Sequence, residues 1–294
     1  MDIKSFLNEY SIAFKENEPL KNHTSFKIGG NAEIFVMPKS FRQLENVYDF
    51  CKENGIKITL LGNGSNVLIN DEGIKGVVIT LSKIKRITVN KNSISCCSGA
   101  LLSSVCKTAL ERGLSGLEFA FGIPGSVGGA VFMNAGAYGG EIKDIIVSAK
   151  IFDGEKIKTI SAKNMKLGYR TSIFKENGSV ILSVKFALNE APKSEIKANM
   201  DDFISRRKAK QPLDFPSAGS TFKRPEGNFA GALIEKSGLK GFSIGGAKVS
   251  EKHAGFVINC KNATAKDVKA VIEAVRQKVF EDSGIMLERE VIYL

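Results

Sequence analysis

Two glycine-rich segments contain the residues best suited to hold a ligand. The first is the turn Gly62-Asn63-Gly64-Ser65-Asn66, which lies between two short runs of β-forming residues. Such a turn presents several backbone N–H groups, and a nest of this kind can bind phosphate. A Rossmann dinucleotide loop would need a helix directly after its glycines, and none is predicted here. A phosphate-binding turn and a purely structural hairpin turn both fit this segment.

The second segment is longer, running from residue 121 to residue 130 and continuing in small residues to Gly140. Glycines allow backbone to approach a large ligand closely, at a cost in conformational entropy. Ser126 could begin a helix whose first N–H groups face a phosphate. Close packing of two elements is the alternative explanation. Together, the two segments favour a bound dinucleotide.

A basic run at residues 206–210 is a further candidate for binding an anion, and ordinary solvated surface charge is the alternative explanation. The net charge is +11, from 42 Lys and Arg against 31 Asp and Glu, which favours anionic partners such as nucleotides. Aromatic and basic residues do not alternate as they do in proteins that bind single strands. We therefore expect a nucleotide ligand and no nucleic acid partner.

The sequence contains little that indicates a metal site, a disulfide framework, a serine hydrolase or a membrane protein. His23 and His253 are the only histidines and neither lies in a metal motif, so no metal site is expected. The five cysteines include no C-x-x-C pair, and a disulfide framework is not expected. No G-x-S-x-G motif indicates a serine hydrolase. Without a secretory signal or an uninterrupted apolar span, the sequence predicts a soluble cytoplasmic protein with no membrane partner.

The elements that position these residues are of mixed type, so the fold class is α+β. In residues 1–190, periodicity predicts helices over 40–54 and 101–112 and strands near 57–61, 67–69, 77–81, 145–152 and 180–188. A polar, helix-favouring stretch at 193–210 leads into a second unit. There we predict a helix around 228–236, a strand at 255–259, a helix from Thr264 to Gly284 and a terminal strand at 288–294.

At these motifs the sequence resembles the UDP-N-acetylenolpyruvoylglucosamine reductases, the MurB family. The matching segments are NHTSFKIGG (22–30), GNGSN (62–66), residues 122–140, LGYRTS (167–172), SAGSTFK (217–223), IGGA (244–247) and LEREV (287–291). They occur in family order over nearly the whole chain, so the resemblance is specific.

The resemblance implies a non-covalent FAD and two domains. Residues 1–190 would form an FAD-binding domain of the PCMH or vanillyl-alcohol-oxidase type with two α+β subdomains, and residues 191–294 a smaller α+β substrate-binding domain. It implies these cofactor-binding residues: Gly62, Asn63, Gly64, Ser65, Asn66, Gly122, Ile123, Pro124, Gly125, Ser126, Gly128, Gly129, Asn134, Gly136, Ala137 and Gly139. It gives His23 no covalent bond to FAD.

The implied activity is NADPH-dependent reduction of UDP-N-acetylglucosamine enolpyruvate to UDP-N-acetylmuramate. Arg170 would be the cation at the substrate carboxylate, because a guanidinium stays charged and binds carboxylate bidentately. Ser220 would donate a proton to carbon; without the resemblance, Gly219-Ser220-Thr221 is explained equally well as a structural turn. Glu290 would help at the carboxylate only if protonated or hydrogen-bonded, which burial favours. Glu288, two residues earlier, is the competing glutamate, and motif alignment selects Glu290.

Candidate substrate-binding residues lie in and after the basic run: Arg207, Lys210, Lys223, Arg224, His253 and Asn259. The short interval between Arg170 and Ser220 resembles the compact branch of the family. That branch lacks the loop that places a tyrosine over the substrate, so no tyrosine contact is carried over. We expect a monomer.

Two other functions fit part of the pattern. Another FAD enzyme of this domain type, such as a hydroxy-acid oxidase or dehydrogenase, would share the glycine segments but not Arg170, Ser220 and Glu290. A non-catalytic nucleotide- or nucleic-acid-binding protein would contain no flavin, and its binding would depend steeply on salt.

Overall fold

The computed structural model describes residues 1–294, which fold into two compact units. The first comprises Met1–Lys15, Ile34–Asn63 and Gly76–Arg207, and the second comprises Glu16–Glu33, Gly64–Lys75 and Lys208–Leu294. Compactness alone defines these units. The assignment of cofactor to residues 1–190 and of substrate to residues 191–294 therefore stays a prediction.

The mixed α+β composition is confirmed by the elements themselves. The helices are α1 (Ile3–Glu9), α2 (Phe41–Glu53), α3 (Leu102–Glu111), α4 (Val127–Phe132), α5 (Phe174–Asn177), α6 (Lys193–Lys210), α7 (Ala230–Lys236) and α8 (Ala265–Ser283). The strands are β1 (Ala13–Pro19), β2 (Asn31–Met37), β3 (Ile58–Leu60), β4 (Val67–Leu68), β5 (Ile74–Ile79), β6 (Ile87–Asn90), β7 (Ser93–Cys97), β8 (Leu114–Ser115), β9 (Gly136–Ala137), β10 (Gly140–Glu141), β11 (Ile146–Phe152), β12 (Ile157–Ser161), β13 (Val180–Ala187), β14 (Asn189–Glu190), β15 (Ser243–Ile244), β16 (Ala247–Val249), β17 (Val257–Asn259) and β18 (Ile292–Tyr293).

An antiparallel sheet of strand order β12-β11-β13-β7-β6 forms the main core of the first unit. Leu102 and Val105 of α3 lie in one buried cluster with Val184 and Phe186 of β13. Burial of a large apolar side chain contributes about 1.5–3 kcal/mol, so burial in this cluster stabilises the packing of α3. The N–H of Leu102 donates to the carbonyl of Gly125 at 3.0 Å. The packed helix therefore anchors the second glycine-rich segment.

The predicted helix over 40–54 is confirmed as α2. Ser40 Oγ accepts a hydrogen bond from the N–H of Gln43 at 3.2 Å and so caps the helix. Leu44 and Val47 of α2 are buried in a second apolar cluster of the first unit, together with Val77 of β5. A sheet of strand order β1-β2-β5-β3 includes this strand.

In the second unit, α8 packs on the antiparallel sheet β15-β16-β17. Its buried residues at the predicted spacing are Val268, Val271, Ile272, Val275 and Val279. Thr264 and Asp267 form the predicted capping box, and Gly284 ends the helix with φ +71°. This helix is therefore confirmed from its first residue to its last.

The terminal strand is shorter than predicted. Instead of spanning 288–294, it is β18 (Ile292–Tyr293), which pairs in parallel with β4. Upstream, Arg289 forms an isolated bridge with Phe222. Because the pairing partner changes from Phe222 to Val67 within three residues, no single ladder covers the whole segment.

Candidate active site

In the first unit the two glycine-rich segments are in contact. Asn63 Nδ2 donates to the carbonyl of Pro124 at 2.7 Å. A Cβ added to Gly62 would lie 3.1 Å from Ser126 Oγ, so a side chain at this position would crowd the second segment. Gly62 and Asn63 therefore lie beside Pro124 and Ser126, which are predicted to hold the same FAD.

The helix predicted to begin at Ser126 is confirmed as α4, but its first N–H groups are already bonded inside the unit. The N–H of Val127 donates to the carbonyl of Ala100 at 2.8 Å, and that of Gly128 to the carbonyl of Ser98 at 3.0 Å. For Val127 and Gly128 the expectation that the first N–H groups face a phosphate is wrong, because residues 98–100 satisfy them. Binding of FAD by this segment stays a prediction. Close packing against Ser98 explains Gly128, whose added Cβ would lie 2.9 Å from Ser98 Cβ.

Arg170 lies on a tight turn that Asn134 attaches to the second glycine-rich segment. Gly168 and Thr171 close the turn with reciprocal backbone hydrogen bonds of 3.1 and 3.2 Å. Asn134 is fully buried, and its Nδ2 donates to the carbonyl of Gly168 at 2.9 Å. Arg170 Nη2 donates to the carbonyl of Gly136 at 3.1 Å. Three predicted residues, Arg170, Asn134 and Gly136, are thus brought together.

In the second unit Ser220 and Glu290 lie on neighbouring backbone segments. The N–H of Glu290 donates to the carbonyl of Thr221 at 2.9 Å. Thr221 is buried, and its Oγ1 accepts a hydrogen bond from the N–H of Val257 at 3.0 Å. Ser220 is exposed beside it. The buried threonine therefore fixes the backbone of both predicted catalytic residues.

The end of the first glycine-rich turn is hydrogen-bonded to the segment that contains Glu290. Asn66 Nδ2 donates to the carbonyl of Glu290 at 3.3 Å, and the carbonyl of Asn66 accepts the N–H of Ile292 at 3.0 Å. Gly64 has φ +63°, and an added Cβ would lie 1.9 Å from the carbonyl oxygen of His23. Only glycine fits there. The Gly64–Asn66 end of the turn and Glu290 thus form one hydrogen-bonded arrangement.

Ser25 is a linking residue that the sequence did not single out. Its N–H donates to the carbonyl of Gly64 at 3.0 Å, and its Oγ donates to the carbonyl of Ser217 at 2.6 Å. It therefore links the glycine turn to the segment that leads to Ser220. Ser25 lies in the motif at 22–30, but nothing in a serine's local sequence indicates bonds to residues so distant.

Glu288 and Glu290 differ in their surroundings. The side chain of Glu288 is 70% exposed and forms an ion pair with Lys223. Glu290 is half-buried. A carboxylate that is exposed and already paired is poorly placed to contact a bound substrate, so the geometry favours Glu290 as the glutamate of the site.

The predicted substrate-binding residues are not equivalent. In the first unit Arg207 lies against Gly122, whose added Cβ would be 3.1 Å from Arg207 Cδ. In the second unit the Arg224 guanidinium stacks 4.0 Å from the centre of the Phe229 ring. Lys223 has its ion pair with Glu288. Lys210 is exposed.

His253 and Asn259 have structural bonds of their own. Burial lowers the pKa of His253, and its Nδ1 accepts the N–H of Gly255 at 3.1 Å. It is therefore neutral at pH 7 with its proton on Nε2, and can act as a donor but not as a cation. Asn259 donates to the carbonyl of Phe26 at 3.2 Å and accepts the N–H of Ala263 at 2.8 Å. Both ends of this amide hold backbone, which leaves it little capacity for a ligand.

The first turn fits a phosphate-containing cofactor. The N–H groups of residues 62–65 donate no hydrogen bond in the structure, and donors of this kind suit an anion. No group of three or more His, Cys, Asp or Glu residues is arranged to hold a metal ion. None of the helices combines the length and apolar character needed to cross a membrane.

Known proteins match the chain along nearly its whole length. Residues 32–158 match the model of an FAD binding domain, and residues 211–294 match the C-terminal domain of UDP-N-acetylenolpyruvoylglucosamine reductase. The reductase of that name from Clostridium novyi is 52% identical over 98% of this chain and 94% of its own.

Two solved structures extend this result. The MurB structure from Thermus caldophilus has a TM-score of 0.81 and 33% identity, covering 96% of this chain and 98% of its own. Glucooligosaccharide oxidase from Acremonium strictum has a TM-score of 0.51 and 15% identity, covering 98% of this chain and 60% of its own, and shows the fold alone. The expected α+β fold with an FAD-binding domain is confirmed, and the chain belongs to the UDP-N-acetylenolpyruvoylglucosamine reductase family.

Proposed function

We propose that this protein reduces UDP-N-acetylglucosamine enolpyruvate to UDP-N-acetylmuramate, with FAD as cofactor and NADPH as electron donor. The reaction would take place in the cytoplasm and supply peptidoglycan precursors. Family membership supports this proposal, because the relatives are named for this reductase activity. The observation that carries it is the hydrogen bond from Glu290 to Thr221, which brings Ser220 and Glu290 together beside Asn66.

The substrate is an enol ether conjugated to a carboxylate. Saturating its double bond adds a hydride equivalent at one carbon and a proton at the next. Bound FAD supplies the two-electron chemistry that links NADPH to this double bond. The protein must hold the substrate, stabilise the charge that moves onto its carboxylate and deliver the proton.

Arg170 holds the carboxylate in this proposal. Its guanidinium stays charged, and the bond to the carbonyl of Gly136 fixes its direction. A fixed cation stabilises negative charge as it accumulates, without the reorganisation that water would need. Glu290 would assist at the carboxylate by donating a hydrogen bond, which requires its protonated form.

Ser220 delivers the proton. A serine hydroxyl is a weak acid, so it transfers its proton as negative charge collapses from the enediolate onto carbon. The Ser220 side chain must then recover a proton. Its exposure supports resupply from solvent.

The basic candidates supply the positive charge that balances the negative diphosphate of the UDP group. Neither Arg207 nor Lys210 forms an ion pair with an acid. Lys223 would have to leave its ion pair with Glu288 to bind the diphosphate. Arg224 would approach the diphosphate from its stack on Phe229. His253 contributes a neutral donor, and Asn259 keeps its role in holding backbone.

The test is the visible absorption spectrum of the purified protein under anaerobic conditions. An oxidised-flavin spectrum should be bleached by NADPH and restored by UDP-N-acetylglucosamine enolpyruvate. Bleaching without restoration would indicate a different flavin reductase. A protein that remains colourless after incubation with FAD would contradict the proposal.

A further inference from the structure

A short hairpin in the first unit presents an aromatic side chain in an unusual conformation. Strands β9 and β10 pair as Gly136 with Glu141 and Ala137 with Gly140, so Tyr138 and Gly139 form the two-residue turn. Their φ values are +52° and +88°, which is the pattern of a type I′ turn. Asn or Gly is favoured at the first of these positions, and a tyrosine there is strained. Such strain calls for a role of the side chain itself.

Tyr138 is 40% exposed, and its ring stacks on Phe203 of α6. The ring centroids are 4.5 Å apart and the planes differ by 2°. A stacked aromatic pair of this kind contributes stability beyond the area that it buries. The hairpin tip is therefore held on one face of α6.

Arg207 follows Phe203 by four residues and so lies on the same face of α6. Its side chain also packs against Gly122. Burial lowers the pKa of Arg207, while the neighbouring Tyr138 raises it. No hydrogen bond or ion pair of this guanidinium is present in the structure. A half-buried cation without an acid is costly, and an anionic ligand would offset that cost.

The same hairpin also holds Arg170, whose guanidinium donates to the carbonyl of Gly136. One six-residue hairpin thus contacts the arginine proposed for the substrate carboxylate, and its tip stacks on Phe203, one helical turn before the arginine proposed for the diphosphate. We propose that Tyr138 is a positioning residue for the UDP-sugar substrate: its ring, stacked on Phe203, holds the Arg207 guanidinium in place for the diphosphate. This inference rests on the proposed function.

The test compares steady-state constants of the FAD-loaded enzyme and three variants. Tyr138→Ala removes the stack, Tyr138→Phe keeps the ring, and Tyr10→Ala is the matched control, because Tyr10 is also an exposed ring packed on a phenylalanine. We expect Tyr138→Ala to raise KM for UDP-N-acetylglucosamine enolpyruvate about tenfold while kcat changes less than about threefold. Tyr138→Phe should restore KM to within about threefold, and the control should match the parent.

A double-mutant cycle shows whether Tyr138 acts through Arg207. In an Arg207→Ala background, Tyr138→Ala should raise KM by less than about twofold further, because the group that it positions is gone. Independent, multiplicative effects would overturn the proposal, as would an unchanged KM in Tyr138→Ala. If FAD affinity falls instead of substrate affinity, the diphosphate at Arg207 is that of the cofactor and the proposal is wrong.

Poor folding of Tyr138→Ala would not prevent the test. Phe203→Leu keeps Tyr138 and the hairpin but removes the ring on which Tyr138 stacks. We expect the same rise in KM for the UDP substrate. An unchanged KM in this variant would also overturn the proposal. Failure of the proposed function is separate, because the parent enzyme would then fail to reduce this substrate at all.

Discussion

Ser220 is an exposed hydroxyl between Gly219, with φ +77°, and the buried Thr221. We expect Ser220→Ala to leave the reduction of bound FAD by NADPH within about twofold of the parent, because no proton to carbon is needed in that half-reaction. Reoxidation by substrate should slow by about 10²- to 10⁴-fold, the usual contribution of a general acid. Stopped-flow absorbance of the two half-reactions measures both rates.

A matched control is Ser104→Ala, which removes an exposed hydroxyl from α3 and should affect neither half-reaction. If both half-reactions of Ser220→Ala slow equally, Ser220 is not the proton donor.

Lys210 is the exposed basic residue at the end of α6. We expect Lys210→Ala to raise KM for the UDP substrate by roughly tenfold and to lower kcat by less, because a diphosphate contact remote from the reacting carbons stabilises ground and transition states alike. Lys208→Ala removes an exposed charge from the same helix and serves as control. A large loss of kcat at unchanged KM would contradict the assignment.

At the level of the element, α8 depends on the capping box of Thr264 and Asp267. The N–H of Thr264 lowers the pKa of the Asp267 carboxyl most, followed by the N–H of Gly246. A carboxyl whose pKa is lowered by folding stabilises the protein above its ordinary pKa, and the contribution is lost as pH falls through the folded value. We expect Asp267→Asn to lower the free energy of unfolding by about 1 kcal/mol at pH 7.

Urea denaturation at several pH values measures this effect. The difference between parent and Asp267→Asn should shrink below about pH 4, where the unfolded carboxyl becomes protonated. Asp49→Asn, at an exposed position within α2, should show no comparable difference at either pH. A difference that stays constant down to pH 2 would mean that the carboxylate charge is not what stabilises the cap.

The sequence predicts elements that are fixed by residues close together in the chain, such as helix caps. It does not predict the bounds of strands whose pairing partners are remote in sequence. Ser40 and Thr264 each bond to a residue three positions later, so sequence alone indicated both helix starts. The terminal strand was predicted too long because its partners, Phe222 and Val67, are remote in sequence. The same limit applies to the site. The motif identified Ser220 and Glu290, but their spacing along the chain says nothing of the backbone bond between Thr221 and Glu290.

For the whole molecule, the reactivity of the five cysteines tests whether the buried core stays closed in the native protein. Burial raises the pKa of Cys51 to about 11 and that of Cys106 to about 12, and it raises that of Cys96 as well. Only thiolates react with alkylating reagents. We expect the native protein to incorporate iodoacetamide at the half-buried Cys97 and Cys260 alone, as measured by peptide mass spectrometry.

All five thiols should react after denaturation in urea, which provides the control. Rapid modification of Cys96 or Cys106 in the native protein would show that the core around α3 opens under native conditions.

The pairing of Val67 with Ile292 also has a consequence for biosynthesis. The glycine-rich turn leaves the ribosome early, yet the strand that borders it is made only after more than two hundred further residues, since 292 − 67 = 225. Contacts between residues so far apart form late, because the intervening chain must first be brought together. We therefore expect the chain to complete this pairing only near the end of translation, and FAD to bind late in maturation.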